Sequence, residues 1–203
     1  MKLFLTSYFK CVAPLLTNYI QCEGKKVVFI TTASKHEKVN FYVKADKDAL
    51  LKLGFVVEEL DVSIEEAVEV QEKIKACDCV FVEGGNTFYL LQELKRSGAD
   101  KVILEHIQNN KMYIGVSAGS MVISKSIEYV KHMDDPTCAL ELKGEYSSLG
   151  AVDFCIVPHY SNPPFKKAAD RIIKEYTNCL TLYPISNNQA VVVEGGKTEV
   201  ITA

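Results

Sequence analysis

Gly115-Val-Ser117-Ala-Gly119 is the first place in this chain where residue types and spacing could do chemistry. An apolar run, "KMYIGV" (111–116), leads into it, and a second, "AGSMVIS", leads out. A strand that turns sharply into a helix reads this way, with the serine hydroxyl projecting at the strand end. Glycines two residues before and after the serine let the backbone turn without a Cβ clash. The N–H of Ala118 would then be free to donate to a developing oxyanion. Nucleophilic acyl transfer is the chemistry such a serine supports, and it needs a base. The competing reading is a tight turn that merely requires small residues.

Four histidines are available as base. His159 closes the run "FCIVP" and so would sit at the same sheet edge as Ser117; His36, His106 and His132 lie in polar or helical surroundings and read as surface residues. A second backbone donor is expected at Gly85, where "CDCVFVEGG" (77–85) gives way to a helix beginning at Thr87. The stretch "EGGN" lacks the glycine and lysine spacing of a phosphate loop. The imidazole also needs an acceptor on its far nitrogen. "KHMDDP" offers Asp134 and Asp135, and "YPISNNQAV" offers Asn187 and Asn188. A carboxylate would stabilise the imidazolium, whereas an amide oxygen only orients the ring.

The elements that must position these groups alternate. Strands are expected over 2–7, 25–32, 55–60, 77–85, 111–116 and 154–160, and helices over 37–54, 63–76, 87–98, 100–109 and 165–176. Ser63 and Glu66 have capping-box spacing for the helix over 63–76. The region 126–150 reads as loop, and the chain ends in a hairpin around Glu194-Gly195-Gly196. Strands that are apolar throughout are covered on both faces, which means a parallel or mixed sheet between helix layers. Ligands of such sheets sit beyond the carboxyl ends of the strands.

Bulk properties exclude other classes. The 203 residues fit a single domain, residues 1–203, with a sizeable core. A net charge of −3 leaves no basic surplus for nucleic acid or anionic membrane. No apolar stretch approaches the roughly 20 residues that span a bilayer, and the N-terminus lacks a signal-peptide core. The seven cysteines are scattered, with Cys11, Cys77, Cys79 and Cys155 inside apolar runs. They read as small buried thiols of a reducing, cytoplasmic compartment. Neither cysteines nor histidines show metal spacing, so no metal is expected.

"FVEGGNTFYLLQEL", "YIGVSAGSMV" and "IVPHYSN", in this order, resemble dipeptidase E and its relatives, serine peptidases related to cyanophycinase. The resemblance covers most of the chain. It implies a three-layer α/β sandwich with a mostly parallel sheet, like that of class I glutamine amidotransferases. It implies Ser117 as nucleophile, His159 as base and the N–H groups of Gly85 and Ala118 as oxyanion hole. The family's acidic partner of the histidine has been placed in two ways, matching Asp134 or Asn187 here. The family's substrate-binding arginine falls at Ala168, with Lys167 beside it and Arg171 a turn later, so aspartyl preference does not carry over. Asn86, Lys167 and Arg171 are the expected substrate contacts. The activity implied is hydrolysis of short peptides through an acyl-enzyme, without a cofactor. The alternatives are a small-molecule amidase or esterase with the same dyad, and a silent binding module. Partners are then a short peptide or small molecule, with neither nucleic acid nor membrane; a homodimer is compatible with these features.

Overall fold

A computed structural model of the chain describes residues 1–37 and 41–203. Its elements, in chain order, are β1 (Lys2–Thr6), α1 (Phe9–Val12), β2 (Lys26–Ile30), α2 (Phe41–Lys52), β3 (Val56–Leu60), α3 (Ala67–Ala76), β4 (Cys79–Val82) and α4 (Thr87–Ser97). Then follow α5 (Ala99–Gln108), β5 (Met112–Val116), α6 (Ala118–Met121), β6 (Cys155–Val157), α7 (Lys166–Tyr176), β7 (Leu182–Pro184), β8 (Gln189–Glu194) and β9 (Lys197–Thr202).

Seven strands form one sheet in the order β3-β2-β4-β5-β1-β8-β9. The five from β3 to β1 run parallel, and β8 and β9 close the sheet antiparallel. Successive residues of the strands serve opposite faces. Val28, Ile30, Val80 and Val82 join Leu3 and Leu5 against α3, α4 and α5. Val27, Phe29, Cys79 and Phe81 join Phe4 and Ile114 against α1 and α2. Both faces are therefore buried, which explains why the central strands are apolar throughout. At about 2 kcal/mol for each large apolar side chain removed from water, these two cores hold the helix layers on the sheet. The fold is a three-layer α/β sandwich, as expected.

Several expectations are corrected. β3 is not apolar throughout: it is an edge strand, and Val56 is 57% exposed. The capping box does not form, because Ser63 directs its N–H and hydroxyl to Asp61 Oδ1 and the helix starts only at Ala67. Of the helix expected over 37–54, α2 is the described part, and positions 38–40 lie outside the described residues. The strand expected over 154–160 shrinks to β6, which leaves the main sheet and pairs in parallel with β7. The stretch after Ser117 gives only one helical turn, α6. Region 126–150 carries short 3-10 turns and one bridge, Ser126 to Ser147. Cys11 is exposed, while Cys77, Cys79 and Cys155 are buried and all seven cysteines are free. His106 is not a surface residue either. It packs from α5 onto β5 with Nε2 3.1 Å from Met112 O, and burial pushes its imidazole down to about 4. The His36 side chain lies outside the description.

Register brings the strand ends together. Gly115 pairs with Leu5 on one side and Val82 on the other. The residues that follow β1, β4 and β5, namely Ser7, Glu83 and Ser117, thus emerge at one carboxyl edge of the sheet.

Candidate active site

Ser117 is the residue under strain at its turn. Its backbone sits at φ +47°, ψ −104°, a region that side-chain-bearing residues seldom occupy. The flanking glycines are required by space. A Cβ on Gly119 would lie 2.1 Å from Val82 O, and one on Gly115 2.6 Å from Gly119 O. Ser117 N–H donates to Thr6 O at 2.8 Å, and Ser120 Oγ accepts Thr6 N–H at 2.9 Å, so the elbow is pinned to the end of β1.

His159 comes to this hydroxyl from the second sheet. It follows β6 at φ +60°, and its N–H donates to Ser7 Oγ at 3.0 Å, whose own proton goes to Ile185 O at 2.9 Å. The ring lies with Nε2 3.1 Å from Ser117 Oγ and Nδ1 2.8 Å from Asn187 Oδ1. An amide oxygen can only accept, so Nδ1 carries the proton and bare Nε2 faces the serine hydroxyl. Phe165 stacks on the ring at 4.9 Å. Asn187 is held in turn by its N–H to Asn162 Oδ1 at 2.9 Å, and Asn162 N–H returns to His159 O at 2.9 Å. Burial lowers the His159 pKa, and the Asn187 hydrogen bond partly restores it. The imidazole is therefore neutral, and competent as a base, at neutral pH.

The expectation of Asp134 on the histidine is corrected. Its Oδ2 accepts the Thr87 N–H at 2.8 Å and the Thr87 hydroxyl, which commits it to the start of α4. Desolvation pushes its carboxyl up to about 6 against those two bonds. Asn86 is a helix cap: its Oδ1 accepts from Phe88 N and Tyr89 N, both at 3.0 Å, and Nδ2 donates to Asp135 O. It lines the cavity but has few polar atoms to spare. Lys167 and Arg171 do not line the cavity; Arg171 binds Glu175 at 2.9 Å on the outer face of α7. Phe165, just before α7, stacks on the His159 ring and lines the cavity.

Gly85 adopts φ +138°, and a Cβ there would lie 2.1 Å from Ala33 O. Gly84 stands against the serine, with an added Cβ 3.3 Å from Ser117 Cβ. The N–H groups of Gly85 and Ala118 take part in none of the turn and loop hydrogen bonds among the described residues. Two donors without acceptors on either side of a serine hydroxyl suit a negatively charged oxygen. The cavity in front measures about 550 Å³ and is bounded by Tyr8, Tyr42, Met133, Pro164 and Phe165 around Ser117 and His159. Among the described residues no three His, Cys, Asp or Glu side chains are grouped to hold a metal ion.

Sequence reasoning missed Ser7, Asn162 and Phe165. "HYSN" and the end of β1 carry polar residues at element ends, which was the available signal. It also missed β7, whose three residues are too short to show a pattern.

A serine, an imidazole and an orienting amide at the carboxyl edge of a mostly parallel sheet define a hydrolase architecture. The family follows from comparison: the chain matches peptidase family S51 over residues 3–201 and belongs to that family, hence to the peptidases. It is 51% identical over 202 residues to an uncharacterized peptidase of Listeria innocua, covering 99% of this chain and 95% of that relative. Peptidase E of Shewanella sp. is 32% identical over 163 residues, 78% of this chain and 61% of the relative. A crystal structure of a candidate peptidase E protein from Listeria monocytogenes EGD-e superposes with a TM-score of 0.94 at 47% identity, covering 100% of this chain and 98% of that one. A peptidase from an acI-B1 Actinobacterium, at 21% identity and a TM-score of 0.73 over 100% of this chain and 87% of that one, shares the fold alone. Among the described residues no helix is long and apolar enough to cross a membrane.

Proposed function

We propose that this peptidase is a serine-type exopeptidase or dipeptidase acting on short peptides in the cytoplasm. One observation carries the reading: Ser117 Oγ lies 3.1 Å from His159 Nε2 while Asn187 Oδ1 holds Nδ1 at 2.8 Å. Ser117 Oγ attacks the peptide carbonyl carbon as His159 Nε2 removes its proton. The carbonyl oxygen becomes an oxyanion between the N–H groups of Gly85 and Ala118. Collapse breaks the C–N bond, and the imidazolium returns the proton to the leaving amine. Water, deprotonated by the same imidazole, then clears the acyl-enzyme and regenerates the serine. A cavity of about 550 Å³ suits a di- or tripeptide. Seven free cysteines suit a reducing compartment.

The test is a panel of dipeptides with Ala, Leu, Lys, Glu and Asp first, given to the wild type and to Ser117→Ala. Turnover in the wild type alone supports the reading, and turnover retained in the variant sinks it. The amide at Asn187 gives one observation in favour of a silent binding module. Failure of a fluorophosphonate to label Ser117 in folded protein would select that alternative, and turnover of short-chain esters without peptides would select an esterase.

A further inference from the structure

Behind the Gly84–Gly85 turn the fold buries two carboxyl groups that the reaction does not use. Glu83 follows β4 and Asp46 lies in α2, and both are 0% exposed. Each is anchored through one oxygen. Glu83 Oε1 accepts the Gly84 N–H at 2.8 Å, and Asp46 Oδ1 accepts the Lys10 N–H at 2.9 Å. The second oxygens, Glu83 Oε2 and Asp46 Oδ2, are buried and meet no donor among the described residues. Among the described residues, no lysine, arginine or histidine forms an ion pair with either group. The segments that carry them are packed together, with Phe9 against Phe81 at 5.0 Å.

Two ionised carboxylates in such a place would leave two buried oxygens unsatisfied and set two like charges near one another, both of which are unfavourable. A single proton removes both problems, because a hydroxyl on one group can donate to the bare oxygen of the other. We infer that Asp46 and Glu83 hold one proton between them as a buried acid pair, and that this bond fixes the Gly84–Gly85 turn against α1 and α2. Both are then positioning residues for the Gly85 N–H, an inference that rests on the peptidase reading of the site. Burial, first, raises both carboxyls; the charge of Asp46 raises Glu83 further, while the Lys10 N–H and ammonium pull Asp46 partly back. The groups around them are Tyr8 just before α1, Cys11 in α1 and Tyr42 on α2, each pushed up first by burial; Asp46 adds to all three, and Glu83 to Tyr8 and Tyr42. Lys10 acts on Asp46 from outside, and Glu37 and Asp134 act on Tyr42 from the cavity. Loss of the shared proton at alkaline pH sets two carboxylates against one another and loosens the turn, so the pair is an alkaline off-switch for the site.

The folded state holds this proton to a higher pH than the unfolded chain does. Stability from the pair is thus full at acid pH and falls as pH rises above the ordinary carboxylate range. The experiment compares wild type, Glu83→Gln, Asp46→Asn and Glu83→Ala by melting temperature and by kcat between pH 5 and 10. In Glu83→Gln the amide can donate to Asp46 Oδ2 and still accept from Gly84, with no proton to lose. It should flatten the fall of Tm with pH and move the alkaline fall of kcat upward by about one pH unit. Glu83→Ala should lose about tenfold in kcat with little change in KM. A wild-type Tm slope in Glu83→Gln, or wild-type kcat in Glu83→Ala, overturns the inference. Carboxyl carbon NMR of the wild type reads the pair without any variant: two ordinary titrations near pH 4 would also overturn it. The Tm and NMR series need no substrate, so they decide the pair even if no peptide is hydrolysed.

Discussion

Replacing Asn187 by aspartate tests the whole architecture of the site in one atom. The Oδ1 contact to His159 Nδ1 is 2.8 Å, and Asn187 N–H is held independently by Asn162, so the carboxylate would inherit the position. The Asn187 Nδ2 group makes no hydrogen bond among the described residues, so nothing is orphaned by the change. A carboxylate beside the ring stabilises the imidazolium and raises the histidine pKa by about 1–3 units, which is about 1.4–4 kcal/mol. In the wild type burial holds His159 below its ordinary value, so the acid limb of kcat/KM lies below about pH 6.5. Asn187→Asp should move that limb up by about 1–3 units. It should also raise kcat at pH 8 by about tenfold, since a carboxylate stabilises the imidazolium that forms on the way to the acyl-enzyme whereas the Asn187 oxygen only orients the ring. The assay is a pH–rate profile on the best dipeptide, from pH 4 to 9. An unmoved acid limb with unchanged kcat would refute the argument that Asn187 orients the base.

The remaining tests address neighbouring parts of the site. Asp134→Asn should cost about 1–2 kcal/mol by weakening the bond to Thr87, seen as a lower Tm, while leaving the acid limb in place; a shifted limb would return Asp134 to the histidine. Gly85→Ala must place a Cβ 2.1 Å from Ala33 O at φ +138°, and should lower kcat at least tenfold and stability by about 2–3 kcal/mol in denaturant melts. The acids lining the cavity are Glu37, Glu83, Asp134 and Asp135, and among the described residues no lysine or arginine lines it. Dipeptides beginning with Asp should therefore show kcat/KM about tenfold or more below those beginning with Ala or Lys; equal values would show that the acids do not face the substrate.

What was legible in the sequence was whatever local pattern dictates. The apolar strands and amphipathic helices give the layered sheet, because two covered faces leave no alternation to misread. Ser117 and Gly85 were legible because glycines mark places where a Cβ cannot fit. His159 was legible as the polar end of an apolar run, though the sheet it belongs to was not, since β7 is three residues long. The orienting group could not be chosen from sequence: Asp134 and Asn187 are both polar residues in loops, and only the Thr87 contacts of one and the ring contact of the other separate them. Lys167 and Arg171 were expected only from the resemblance to a family arginine, with no local pattern behind them, and neither lines the cavity. The Asp46–Glu83 pair was invisible because 37 residues separate its members and each looks like an ordinary surface acid.

Ser7 accepts from His159 and donates to Ile185, and it stands at the end of a strand whose neighbours are β5 and β8. Those neighbours begin at Met112 and Gln189, more than a hundred residues downstream. During synthesis β2, β3 and β4 can pair as soon as they emerge, while β1 waits for the centre and then the end of the chain. The base reaches the serine only once that first strand is enclosed. The contacts among Ser117, His159 and Asn187 are therefore among the last the growing chain can form. A nascent or truncated copy ending before Asn187 carries the Ser117 elbow but lacks the amide that contacts the His159 ring, so the three side chains meet only when nearly the whole chain has been made.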